Sequence, residues 1–166
     1  MRAIVQRVTQ GRVRVAGASV AEIGRGYVVL LGISTSDGPG EADVLAEKVA
    51  YLRIINDEAG KMNRSILDAG GDILSVSQFT LYGDTARGRR PSFIHAAEPA
   101  QAEALYARFN ERLRTLGIPV QTGTFRAMMS VEIYNDGPVT IVLDTDAEPG
   151  SRKRGIQGSR KDDEHP

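Results

Sequence analysis

The sequence predicts a mixed α/β fold in which curved, barrel-like sheet layers carry two main helices packed on one side, all in a single domain. Three observations predict it. Apolar runs of strand length, alternating or continuous, fill residues 1 to 34. Two later segments place apolar residues at helical spacing, and each is followed by further strands. The chain has 166 residues, of which 41% are apolar, and this suffices for one core.

Taken in order, Ala3 to Val8 and Arg12 to Ala16 read as strands with one wet face, because Val13 and Val15 alternate with Arg. Gly26 to Ser34 is a near-continuous apolar run, which predicts a strand buried on both faces. After the punctuation Ser36-Asp37-Gly38-Pro39-Gly40, the positions of Val44, Leu45, Val49 and Leu52 predict a helix from about Glu41 to Leu52 that lays this stripe on the sheet. Turns at Asn56 to Gly60 and at Gly70-Gly71 lead into a strand from Asp72 to Thr80. A second helix begins at Pro99 and presents Ala102, Leu105, Tyr106, Phe109, Leu113 and Leu116 on one face; Gly117 caps it and Pro119 stops it. Strands at Val120 to Phe125, Ser130 to Tyr134 and Val139 to Leu143 close the domain at about Thr145, with Asn135-Asp136-Gly137-Pro138 as the turn between the last two. From Asp146 to Pro166 only Ala147 and Ile156 are apolar, so residues 146–166 are expected to form a flexible polar tail on a domain of residues 1–145.

Composition excludes several kinds of function. With no Cys there is no disulfide, thiolate nucleophile or Cys-ligated metal, and with only His95 and His165 a multi-histidine metal site has too few ligands. No cofactor is expected. The longest apolar run, Tyr27 to Ile33, is far shorter than a membrane helix, and the first residues lack the apolar stretch of an export signal, so a cytoplasmic protein with no membrane partner is expected. The 21 basic and 21 acidic side chains cancel, which argues against binding nucleic acid by bulk charge but leaves local sites open. Arg87, Arg89 and Arg90 form such a local cluster, either a solvated loop or a phosphate contact.

Two segments carry polar chemistry. In Ser75-Val76-Ser77-Gln78-Phe79-Thr80-Leu81-Tyr82 a buried strand ends in hydroxyls, an amide and aromatics. Either the hydroxyls satisfy nearby backbone or the strand end receives a ligand. In Asn135-Asp136-Gly137-Pro138-Val139-Thr140 a plain turn and a cis Gly-Pro bond both stand; a cis bond would aim two successive carbonyls at a small amine-bearing group. A serine hydrolase triad lacks support, since His95 is the only histidine within the domain and no Gly-x-Ser-x-Gly elbow is present. Phosphate-loop and dinucleotide signatures are absent as well.

Ser77 to Thr80 and Asn135 to Thr140 together resemble the D-aminoacyl-tRNA deacylase (D-tyrosyl-tRNA deacylase) family, which carries a Ser-Gln-Phe-Thr motif and an Asn-x-Gly-Pro-Val-Thr motif. Met1 to Thr9, Gly60 to Asn63, Arg87 to Phe93 and Gln121 to Phe125 extend the resemblance over residues 1 to 145. It implies hydrolysis of the ester between a D-amino acid and the terminal adenosine of tRNA, with glycyl-tRNA as a second substrate. It also implies a homodimer in which Gly137 and Pro138 of one subunit complete the site of the other, with Arg7 holding that motif.

The ester is already activated and the neighbouring ribose hydroxyl can assist, so positioning suffices. The backbone of Gln78 and Phe79 is expected to donate to the oxyanion, Ser77 and Thr80 to fix the adenosine and ester, and a water to attack. A covalent Thr80 nucleophile is the alternative, for which the sequence offers no base. Lys61, Arg87, Arg89 and Arg90 are the expected tRNA phosphate contacts. A non-catalytic module that sequesters the charged 3′ end of tRNA is the rival from another class, and a hydrolase of small D-amino-acid esters a third.

Overall fold

Where alternation predicts two strands, the computed structural model has one, β1 (Arg2–Val15). The polar break at Thr9-Gln10-Gly11 does not turn the chain; Gly11 is buried, and a Cβ there would lie 2.7 Å from Val28 Cγ2, so this glycine serves close packing. The turn comes later, at Ala16 and Gly17, both at positive φ (49° and 84°), and opens a hairpin to β2 (Ala18–Ile23). The structure describes residues 1–146, so the expected tail beyond Asp146 lies outside the described residues.

Gly26–Gly32 forms β3, antiparallel to residues 2–8 of β1. The chain then crosses through α1 (Pro39–Ala50), the short pair β4 (Ile55–Asn56) and β5 (Met62–Arg64), and one turn of helix, α2 (Ile66–Ala69), to β6 (Asp72–Ser77), parallel to β3. A second crossover, α3 (Pro99–Thr115), delivers β7 (Val120–Thr122) parallel to β6. The last strand, β8 (Met129–Asp144), pairs with β1 along nearly its whole length. The sheet order is β2-β1-β3-β6-β7 with β8 on the other edge of β1, and curvature brings β2 back against β6 and β7.

β3 and β6 bury both faces, as the unbroken apolar run of β3 predicts. Tyr27, Val29, Leu31 and Ile73 meet the helices; Val28, Leu74 and Val76 fill a second cluster with Val8, Val13, Ala21 and Ile23. α3 buries Leu105, Tyr106, Phe109 and Leu113 as its spacing predicts, with Ala102 and Leu116 packed beside them. α1 differs from its prediction. It starts at Pro39, buries Ala42, Leu45, Ala46, Val49 and Ala50, and leaves Val44 half exposed. Alanines set its buried face because α1 lies against α3, where small side chains let two helices approach closely. Arg108 and Arg112 of α3 pair with Asp43 and Glu47 of α1 along the outer seam.

Three further boundaries move. The strand expected to reach Thr80 ends at Ser77, the one expected to reach Phe125 ends at Thr122, and the two strands expected on either side of Asn135 to Pro138 are one. The last case has a clear cause: Gln6 pairs with Thr140 and Val8 with Asn135, so Asp136 to Val139 stand opposite Arg7 alone as a bulge in a continuous ladder. Among the described residues no helix is long and apolar enough to cross a membrane.

Candidate active site

On β6, Ile73, Ser75 and Ser77 share the side that faces the helices, and the strand ends where the Gln78 N–H donates to Leu31 O at 2.7 Å. A 3-10 turn, Phe79–Tyr82, follows, closed by the Leu81 N–H to Gln78 O (3.2 Å) and the Gly83 N–H to Thr80 O (3.0 Å). The turn packs directly over β3 at Gly32, where a Cβ would lie 2.9 Å from Leu81 Cβ. Its geometry decides which amides are free. The Gln78 amide, expected as an oxyanion donor, is spent on the sheet, whereas among the described residues the Phe79 and Thr80 N–H groups have no hydrogen-bond partner. Both residues are exposed, so two successive unpaired donors sit at an exposed turn beyond the strand end.

The Thr80 hydroxyl accepts a hydrogen bond from Gln78 Nε2. Among the described residues no base reaches it: the His95 side chain makes no hydrogen bond to Ser77 or Thr80 and instead lines a separate cavity of about 380 Å³ with Arg2, Ser34, Ser36 and Tyr82. Burial pushes the Tyr82 phenol up to about 12, so it stays neutral.

Phe79 meets Phe93 edge to face, with ring centroids 5.0 Å apart. Reciprocal backbone bonds between Asp84 and Ser92, both 2.8 Å, close the neck of the intervening loop. Arg87, Arg89 and Arg90 are exposed at its far end, so the aromatic pair anchors the basic loop beside the turn. Lys61 is elsewhere, exposed in the β4–β5 connection.

Along the same side of β6 runs a groove of about 610 Å³ between α3 and the segment after β7, lined by Tyr106, Asn110, Thr122, Gly123 and Phe125 among others. Tyr106 stacks on Phe125 and donates its hydroxyl to Ser75 O at 2.7 Å. Asn110 Oδ1 and Ser75 Oγ are buried and unpartnered among the described residues. Sequence reasoning assigns Tyr106 to the core and Phe125 to a strand; only the irregular exit from β7 after Thr122 brings the ring to the groove.

The second motif stands apart in one chain. In the bulge the Gly137–Pro138 peptide is cis and Gly137 has φ +119°. Arg7 Nε lies 3.0 Å from Asp136 Oδ2, an ion pair outside hydrogen-bond alignment, while Arg7 Nη1 donates to Ile54 O (2.8 Å) and Asn56 Oδ1 (3.1 Å). Ser77, Leu31, Ala3 and Leu143 form one row across the sheet, and the bulge faces Arg7. It is therefore displaced about 13 Å along the strands and three strands, about 14 Å, across them.

Two amides without partners and a hydroxyl that no base reaches, among the described residues, are suited to holding and polarising a reactive carbonyl rather than to attacking it. Residues 4–144 match the family model described as D-Tyr-tRNA(Tyr) deacylase. The chain is 62% identical to a D-aminoacyl-tRNA deacylase of Symbiobacterium thermophilum over 146 residues, covering 88% of this chain and 97% of that protein. It is 55% identical to one of Thermus aquaticus over 152 residues, covering 92% and 100% respectively. A solved structure described as a c-Myc DNA unwinding element binding protein superimposes with a TM-score of 0.83 at 44% identity, covering 89% of this chain and all of that one. A probable eukaryotic D-amino acid tRNA deacylase, at 20% identity and a TM-score of 0.76, covers 86% of this chain and 97% of that one and shares the fold. The chain belongs to the D-Tyr-tRNA(Tyr) deacylase family.

Proposed function

We propose that this protein hydrolyses the ester linking a D-amino acid, or glycine, to the 3′-terminal adenosine of tRNA in the cytoplasm, sparing the L isomer. The observation that carries this reading is the pair of free amides at Phe79 and Thr80 within the Ser-Gln-Phe-Thr motif. They donate to the ester carbonyl oxygen as it becomes an oxyanion. Ser77 and the Gln78–Thr80 pair hold the terminal ribose, and a water adds to the carbonyl carbon. The carbon–oxygen bond to the ribose then breaks, the ribose oxygen takes a proton, and the free amino acid and tRNA leave. No side chain becomes acylated.

Chirality is read by the Gly137 and Pro138 carbonyls, which accept from the α-amino group while backbone blocks the direction an L side chain needs. Their separation from Ser77 in one chain supports completion of each site by a second copy. A homodimer is supported further by β8, whose outer edge carries no strand among the described residues and exposes Tyr134 and Val142.

The deciding experiment is multiple-turnover deacylation of one tRNA charged in turn with a D-amino acid, its L isomer and glycine, at substoichiometric protein. Release of the D and glycyl forms with the L form spared is the expected result. Protection of every ester would show a binder, and equal loss of both isomers a broader esterase.

Thr80 supplies a sharper test of mechanism. Rapid quench of the reaction should yield no acyl-protein adduct by mass spectrometry, and Thr80→Ala should keep measurable turnover because the backbone amide remains; an adduct on Thr80 would overturn positioning. For the basic loop, Arg89→Ala and Arg90→Ala should each lower the slope of log binding affinity against log salt by about one, measured with deacylated tRNA. An unchanged slope removes them from the RNA footprint.

A further inference from the structure

We infer that Asn135 is a positioning residue for chiral selection: its side-chain amide clasps the base of the Gly137–Pro138 bulge and so fixes where those carbonyls point. The inference rests on the proposed reading of Gly137 and Pro138 and assigns a role to a side chain outside the carbonyl pair and Arg7.

A bulge that sets four residues opposite one leaves ladder groups without partners, and an unpaired backbone carbonyl favours any rearrangement that satisfies it. Here the two carbonyls at the neck are Arg7 O on β1 and Val139 O at the far end of the bulge. Asn135 Nδ2 donates to both, at 2.9 Å each. One amide group thus uses its two hydrogens to join the neighbouring strand and the returning chain across the mouth of the bulge. Because both partners are carbonyl oxygens, only the NH₂ end of the side chain can occupy this place. The other end is held too: Thr140 Oγ1 donates to Asn135 Oδ1 (3.5 Å) and itself accepts from Gln6 Nε2 (3.3 Å).

At the foot of the bulge Val139 packs against the core, but the tip has little else to hold it. Asp136, Gly137 and Pro138 are exposed, and Gly137 sits at a φ that leaves its position to its neighbours. Arg7 grips the bulge through Asp136, and Asn135 through the two carbonyls. These attachments differ in kind. The Arg7–Asp136 contact is an ion pair outside hydrogen-bond alignment, whereas the Asn135 contacts are two directed hydrogen bonds, so Asn135 sets orientation more narrowly than Arg7 does. No other natural side chain of this size carries two donors on one nitrogen. Asp has none when ionised, Ser has one, and Gln places its amide one methylene too far.

The test measures kcat/KM for D- and L-aminoacyl-tRNA in Asn135→Ala, Asn135→Asp and Asn135→Ser, beside Gly137→Ala and a core control, Ile118→Val, which lowers stability without touching the bulge. The D-to-L ratio should fall about tenfold or more in the Ala and Asp variants, less in Ser, and stay unchanged in Ile118→Val. Amide exchange at Gly137 and Val139 should quicken in the same order. A fall in Gly137→Ala with ratios unchanged in all folded Asn135 variants would overturn the clasp and leave the carbonyl reading standing. Unchanged ratios in Gly137→Ala as well would remove the carbonyl reading and the clasp together. Should Asn135→Asp fail to fold, Asn135→Ser, which keeps one donor, decides by the same criterion.

Discussion

Replacing Phe79 by proline is expected to lower kcat for D-aminoacyl ester cleavage about 10²–10³-fold, the usual effect of deleting one oxyanion donor. Proline removes a single N–H and keeps the backbone path, because Phe79 opens the 3-10 turn and Gln78 before it is non-helical at φ −139° and ψ 80°. The substitution also removes the ring that meets Phe93, so Phe79→Ala is its partner measurement: it keeps the amide, loosens the basic loop and should raise KM more than it lowers kcat. The difference in kcat between the two variants isolates the amide. Equal losses would show that the ring, not the donor, matters, and would leave Thr80 N–H as the only backbone group acting on the carbonyl.

Gly26→Ala is expected to cost about 4 kcal/mol or more of folding free energy, or to prevent folding, in urea denaturation followed by circular dichroism. A Cβ at Gly26 would lie 1.8 Å from Asp72 O and 2.8 Å from Asp72 C and N, all backbone atoms, and φ is +157°. The strands cannot part to admit it, since Gly26 pairs with Val8 on one side and with Asp72 on the other. That contact also governs the site. Gly26 to Asp72 is the first pair of a parallel ladder whose last pair is Leu31 to Ser77, so a displaced start moves the strand end that carries the free amides. A loss below about 1 kcal/mol would mean that the two strands are held less rigidly than their register implies.

Periodicity was enough to read the elements whose stability is local. α3 repeats its apolar face over 17 residues, from Pro99 at its start to Gly117 beyond its end, and every apolar residue expected on that face packs against the core, with Asn110 buried beside them. The same holds for β3, whose unbroken apolar run places it in the middle of the sheet with both faces covered. Both candidate motifs were also visible, because Ser77 to Thr80 and Gly137-Pro138 are polar or conformationally special residues set among apolar strands.

Contacts between distant segments decided the rest. The segment Thr9-Gln10-Gly11 reads as a break between two strands until Val28 is seen against Gly11, and the stripe expected on α1 includes Val44 until α3 is seen beside the alanines. Asn-Asp-Gly-Pro reads as a hairpin turn, yet β1 passes the whole of β8 and holds it as one strand with a bulge. Within the site, composition alone cannot say which amides are free: the Gln78 N–H is consumed by a carbonyl 47 residues earlier in the chain, and the turn that follows exposes those of Phe79 and Thr80. A residue's identity determines what its groups can bond; which of those bonds remain open for a substrate is decided by the tertiary neighbours that reach them first.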